Sequence, residues 1–161
     1  MRILSITEEK RVEHYIELAA QIAQKSTCLR SKCGSIIVSG ESVIGKGYNS
    51  PPAGLDSQCR CKNPKDAYHK KVTDKTCCVH AEQRAIMDAL SKHPDKIAGS
   101  RLYFMRLDDE GNKSIVGKPY CTICSKMALD SGVKEFVLLH ENGLTVYNTE
   151  EYNDLSYKYE D

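Results

Sequence analysis

Two short segments, Cys78-Val-His80-Ala-Glu82 and Pro119-Tyr-Cys121-Thr-Ile-Cys124, constrain this chain more than anything else in it. Each stands where an apolar helical periodicity begins, so each is expected at a helix N-terminus. Histidine nitrogen and cysteine thiolate are ligands that zinc prefers, and a catalytic zinc takes three of them while leaving a fourth position to water. His80, Cys121 and Cys124 make three. Two cysteines at i and i+3 lie on nearly one side of a helix, so both sulfurs reach one ion. The positive end of each helix dipole also favours thiolate over thiol. Any fold that uses these groups together must bring two helix starts, about 40 residues apart, to one point.

Glu82 lies two residues beyond His80, about 200° round a regular helix, so it joins the site only if the first turn is irregular. From there its carboxylate would take a proton from a water that the metal has made acidic. It would return that proton to a ring nitrogen and then to a departing amine, as general base and then general acid.

The rest of the chain fixes the frame. A length of 161 residues suits one domain, expected over 1–161. With 23 Lys and Arg against 22 Asp and Glu the formal net charge is +1, which gives no strong field for a phosphate polymer or a membrane surface. No stretch approaches the roughly 20 apolar residues of a membrane span, and the start of the chain lacks the pattern of a signal peptide, so the cytosol is the expected compartment. Eight cysteines in such a chain point to metal ligands or buried thiols rather than disulfides.

Apolar residues Val12, Tyr15, Ile16, Ala19, Ile22 and Ala23 predict a helix over about 5–25, capped by Ser5 with Glu8 or by Thr7. Two β-branched runs within 33–49 flank Gly40-Glu41 and predict a hairpin. Residues 50–77, with Pro51, Pro52, Gly54 and Pro64 among many charges, predict a long loop or insertion. A second helix is expected from about Val79 to His93, with Ala81, Ala85, Ile86, Ala89 and Leu90 on its apolar side and Pro94 ending it. A strand over 101–107, a turn, a third helix over 121–131 closed by Gly132, and a strand over 134–140 follow. Glu141-Asn-Gly143 predicts a tight turn into a strand at 144–147, and a short polar helix starts at Thr149. This order predicts an α/β fold with a mixed sheet of about five strands and helices on its faces.

The order His-x-Glu, then Cys-x-x-Cys with a proline close before it, resembles the zinc-dependent cytidine and deoxycytidylate deaminases. The resemblance runs from the first helix to the strand ending near His140. It implies a three-layer α/β/α cytidine-deaminase-like fold and hydrolytic deamination of a cytosine nucleotide, dCMP to dUMP with release of ammonia. It implies zinc on His80, Cys121 and Cys124, with Glu82 catalytic. Gly47-Tyr-Asn49-Ser-Pro-Pro-Ala-Gly54 is similar to a segment of the free-nucleotide enzymes, so Asn49 is expected to bond the sugar or base and the Ala81 amide the ring carbonyl. The family usually has proline directly before its first metal cysteine, whereas here Tyr120 intervenes and becomes a candidate substrate contact. The short Glu141–Gly143 link suits an antiparallel final hairpin, as in nucleoside deaminases; deoxycytidylate deaminases tend to place a helix there. A homo-oligomer is also implied.

Cys59, Cys61, His69, Cys77 and Cys78, joined by Cys28 if the first helix ends nearby, offer a second zinc site, and some phage deoxycytidylate deaminases carry a structural zinc in this region. Alternatively Cys78 closes the first site as a fourth ligand. Cys33 reads as a small buried hydrophobe. Arg30, Lys32 and His69 are candidates for a substrate phosphate or plain surface cations. Tyr147, Tyr152, Tyr157 and Tyr159 pack a C-terminal segment, with one ring over the base as the other option. A deaminase of a base in tRNA or single-stranded DNA, and a non-catalytic zinc-binding interaction module, are the competing functions; the first needs a basic channel and the second makes Glu82 dispensable.

Overall fold

The computed structural model describes residues 1–160. Helix α1 (Ile6–Ala23) starts with the expected box: the Glu8 amide donates to Ser5 Oγ and the Ser5 amide to Glu8 Oε2, 2.9 Å. Strands β2 (Lys32–Ser39) and β3 (Ser42–Tyr48) form the hairpin, with Gly40 at φ +60° in its two-residue turn. Helix α2 (Ala81–Lys92), strand β4 (Arg101–Leu107), helix α3 (Thr122–Ser131), strands β6 (Glu135–His140) and β7 (Gly143–Asn148) and helix α4 (Thr149–Tyr157) follow. Gly132 ends α3 at φ +85°, the left-handed conformation that glycine adopts without strain.

The sheet has seven strands, not about five, in the order β1-β7-β6-β4-β2-β3, with β5 beside β4. The additions are β1 (Arg2–Ile3) and β5 (Lys113–Ser114), two residues each and too short to show a period. Strands β4 and β6 are parallel; the other pairings, including the closing β6–β7 hairpin, are antiparallel.

Successive side chains on a strand face opposite sides, and the two cores divide accordingly. Ile36, Val38, Tyr103, Met105, Val137 and Val146 meet Tyr15, Ile16, Ala19 and Ala23 of α1 on one face. Ile37, Leu102, Phe136 and Leu138 meet Ala85, Ile86 and Ala89 of α2, Ala128 of α3 and Tyr152 of α4 on the other. The result is the three-layer α/β/α arrangement. Leu90, expected on the apolar side of α2, is exposed instead, because the helix lies against the sheet on its alanine stripe.

That stripe sets the position of α2. Ala81, Ala85 and Ala89, spaced i, i+4, i+8, are fully buried. A Cβ on Gly47 would come within 3.0 Å of Ala81 O and Ala85 N, and one on Gly45 within 3.0 Å of Ala85 O. Helix backbone and strand backbone therefore touch directly. Residues 50–77 contain only three short 3-10 turns, Pro52–Gly54, Asp56–Gln58 and Lys65–Ala67, as their lack of apolar residues predicts.

Candidate active site

Strands β3, β4 and β6 run the same way, since β3 and β4 are each antiparallel to β2 and β6 is parallel to β4. Helix α2 connects β3 to β4 and α3 connects β4 to β6, so both helices begin at the carboxyl ends of strands, where open α/β sheets form their clefts. His80 Nδ1 lies 3.2 Å from each of the Cys121 and Cys124 sulfurs, and the sulfurs are 2.7 Å apart. One nitrogen and two sulfurs thus converge from two helices, 41 residues apart at the closest.

Local geometry explains how each group gets there. His80 caps α2 in an extended conformation, φ −71° and ψ 154°, and its amide donates to Gln83 Oε1 at 3.0 Å. Because His80 is outside the helix, the 200° separation does not apply, and Glu82 lines the same cleft as His80. Cys121 caps α3, and its sulfur accepts the Cys124 amide at 3.3 Å. A thiolate here takes the place of the usual serine or aspartate oxygen at an orphan helix amide.

The three groups share their protons: the bond to Cys121, then burial, hold the Cys124 thiol well above its ordinary value, while Cys121 is held low. Hydrogen bonding from Cys124, then from His80, pulls the Cys121 thiol down to about 5. The bond to Cys121 raises His80 to about 9. Burial, then the Cys121 sulfur, pushes the Glu82 carboxyl up to about 7, near neutrality, where a group can both take and give a proton. The donor set and its proximity fit zinc. Among the described residues no fourth ligand closes the triad; Cys78 turns away to Cys61, with sulfurs 3.5 Å apart.

The cleft is lined by Ser31, Cys33, Asn49, His80, Ala81, Glu82, Phe104 and Tyr120. Asn49 is buried and heavily bonded: Ser26 Oγ (2.7 Å) and the Cys33 amide (2.8 Å) donate to its Oδ1, and its Nδ2 donates to Ser31 O at 2.9 Å. One Nδ2 hydrogen is left over for a ligand. Ala81, first residue of α2, presents an amide with no acceptor inside the helix. Tyr120 is 63% exposed at the cleft mouth, its ring 5.9 Å from that of Tyr159.

Several expectations are corrected here. Cys33 is a half-buried wall residue rather than a core thiol, pushed up to about 12 by burial and then by Glu82. His69 is exposed and absent from every thiol group; its Nδ1 accepts from the Lys71 amide at 3.1 Å. Arg30 spends its guanidinium on Cys61 O (2.6 Å) and Asn63 O (2.7 Å), so it anchors the insertion instead of standing free for a phosphate. Lys32 is exposed outside the cleft. Tyr147 and Tyr152, by contrast, pack the C-terminal segment into the core as expected, the latter stacked on Phe136 with centroids 4.1 Å apart. Phe104 and Ser31 also line the cleft, and no motif marks them. Phe104 carried one signal, its even position in β4, which turns it to the α2 face beside Leu102.

The zinc-binding region of the cytidine and deoxycytidylate deaminases matches residues 9–140, which include every residue of the triad and Glu82. The chain belongs to this deaminase family. It is accordingly a zinc-dependent hydrolase. A deoxycytidylate deaminase of Mycobacterium phage D29 is 29% identical over 136 residues, 81% of this deaminase and 94% of the phage protein. The dCMP deaminase of cyanophage S-TIM5, solved in complex with dCMP and dUMP, has 25% identity and a TM-score of 0.52 over 83% of this chain and 81% of its own. A Burkholderia pseudomallei cytidine deaminase, at 16% identity, has a TM-score of 0.57 over 87% and 94% of the two chains and shows the shared fold.

Proposed function

We propose that this deaminase converts dCMP and water to dUMP and ammonia, using one catalytic zinc held by His80, Cys121 and Cys124. The convergence of that triad with the buried Glu82 on one cleft carries the chemistry. The substrate comes from similarity to the two phage enzymes, both named as deoxycytidylate deaminases, one of them solved with dCMP and dUMP.

When bound, the zinc supplies a water acidic enough to act as a nucleophile near neutral pH. Glu82 is the residue placed to accept a proton from a water so activated and to pass it to N3 of the ring. It then takes the second proton and hands it to the amine, which leaves as ammonia and restores the carboxylate. The Ala81 amide donates to the base carbonyl, and the spare Asn49 Nδ2 hydrogen donates to the sugar. Tyr120, standing where relatives have proline, borders the mouth through which the nucleotide enters. Phe104 forms an apolar wall that excludes bulk water. Residues 1–161 act as one deaminase domain with a Cys-rich insertion, within a homo-oligomer. The proposed compartment is the cytosol, supported by eight free thiols; no described helix is long and apolar enough to cross a membrane.

Ammonia release from cytidine, deoxycytidine, CMP, dCMP, dCTP and a cytosine-bearing single-stranded oligonucleotide tests the assignment. Preference for dCMP is the expected result. Turnover of the oligonucleotide with none of the monophosphate would sink it.

A further inference from the structure

Asn49 and the start of α2 face each other across the cleft, yet little backbone joins them. Ser26 Oγ, the Cys33 amide and Ser31 O fix the Asn49 side chain from the α1–β2 side. On the other side a single antiparallel bridge ties the next residue to the lead-in of α2: the Val79 amide donates to Ser50 O at 3.0 Å and the Ser50 amide to Val79 O at 3.4 Å. Pro51 has no N–H with which to extend that pairing. His80 and Ala81 follow Val79 directly.

Arg84 stands behind the bridge. Its backbone amide donates to His80 O at 3.1 Å, within the first turn of α2. Its side chain crosses to the other wall, where Nη2 donates to Pro51 O at 3.0 Å and to Ser50 O at 3.5 Å. Ser50 and Pro51 are both buried, so these carbonyls rely on protein donors, and a charged donor makes the stronger kind of hydrogen bond. The stem of Arg84 also packs on β3 before Asn49: a Cβ on Gly47 would come within 3.0 Å of Arg84 Cβ. Arg84 takes part in none of the ion pairs among the described residues, and its Nε is buried without a partner. The guanidinium is therefore directed at the two carbonyls rather than at a carboxylate.

We propose that Arg84 is a positioning residue for deamination, which sets the spacing between Asn49 and the His80–Ala81 corner. It rests on the substrate contacts proposed for Asn49 and Ala81. Arg84 does not line the cleft, so it acts through Asn49. A planar guanidinium meets two carbonyls from a fixed fork, whereas the ammonium of lysine is a point charge on a flexible stem. Arg84→Lys therefore keeps the charge and loosens the bridge. Asn49 then drifts from the 3′-hydroxyl, the one hydroxyl of a deoxynucleotide sugar, while the metal ligands stay in place.

Kinetics and amide hydrogen exchange of Arg84→Lys test this. The KM for dCMP should rise roughly tenfold with kcat within about threefold, the pattern of lost uniform binding. Zinc content should not change. The inhibition constant of the 3′-deoxy analogue of dCMP should change by less than about twofold, because the contact that Arg84 serves is already missing from that ligand. A merely structural role would weaken both ligands alike. Exchange at the Ser50 and Val79 amides should quicken while the interior of α2 keeps its protection. Arg84→Gln, which keeps part of the stem and a neutral donor, serves in the same assays if the lysine variant does not fold. Equal weakening of the two ligands, a fall in kcat at constant KM, or parent-like exchange at Val79 overturns the proposal. A parent enzyme inactive on dCMP refutes the substrate instead; faster Val79 exchange in the variant would still support the brace, and unchanged exchange would refute it.

Discussion

A carboxylate two residues past a metal-binding histidine would point away from it on a regular helix. His80 avoids that by being the cap residue, which lets a buried Glu82 face the same space. Glu82→Gln keeps the size of the side chain and removes only its proton chemistry. Zinc content should be unchanged, and kcat on dCMP should fall roughly 10²- to 10⁴-fold. Activity within about tenfold of the parent in the metal-loaded variant would assign the proton transfers to another group. The triad and Glu82 were legible in the sequence because their chemistry depends on residue types at fixed short spacings. The grouping of Cys28, rather than His69, with Cys61 and Cys78 was not. It depends on where an irregular loop returns to the end of α1, and no periodicity records that.

At the scale of elements, local signals worked where a capping or turn residue stands beside a long apolar period. The Ser5–Glu8 box, the Gly40 turn and the Gly132 stop all appear as read. The pairs β1 and β5 did not, since two residues carry no alternation. Glu8 also gives a pH prediction. The Ser5 amide, then Arg2, hold its carboxyl at about 2, against 4.5 unperturbed. A folded-state value below the unfolded one means stabilisation that is present above about pH 4.5 and lost as the pH falls toward 2. Glu8→Gln should therefore melt below the parent at neutral pH, and the gap should close by about pH 2. A gap of constant size across that range would place the stabilisation elsewhere.

Over the whole molecule, the catalytic ligands sit at the starts of two successive crossovers, β3-α2-β4 and β4-α3-β6, and meet only when both are wound on the sheet. Metal affinity is then coupled to the folded state. Removal of zinc by a strong chelator should abolish ammonia release. It should also lower the melting temperature by roughly 10 °C, for a ligand present at about a thousand times its Kd. Restoring zinc should recover both. An unshifted melt would mean that the three ligands are held together without help from the ion.

The direct backbone contact of Gly45 and Gly47 with α2 limits how this enzyme can be re-engineered. Side chains can adapt when a neighbour changes, but two main chains in contact have nothing left to trim. Libraries that vary Phe104 or Tyr120 can reshape the rim and wall for a larger base. The distance between the first turn of α2 and the neighbouring strand is a fixed dimension, and broader substrates will have to be accommodated around it.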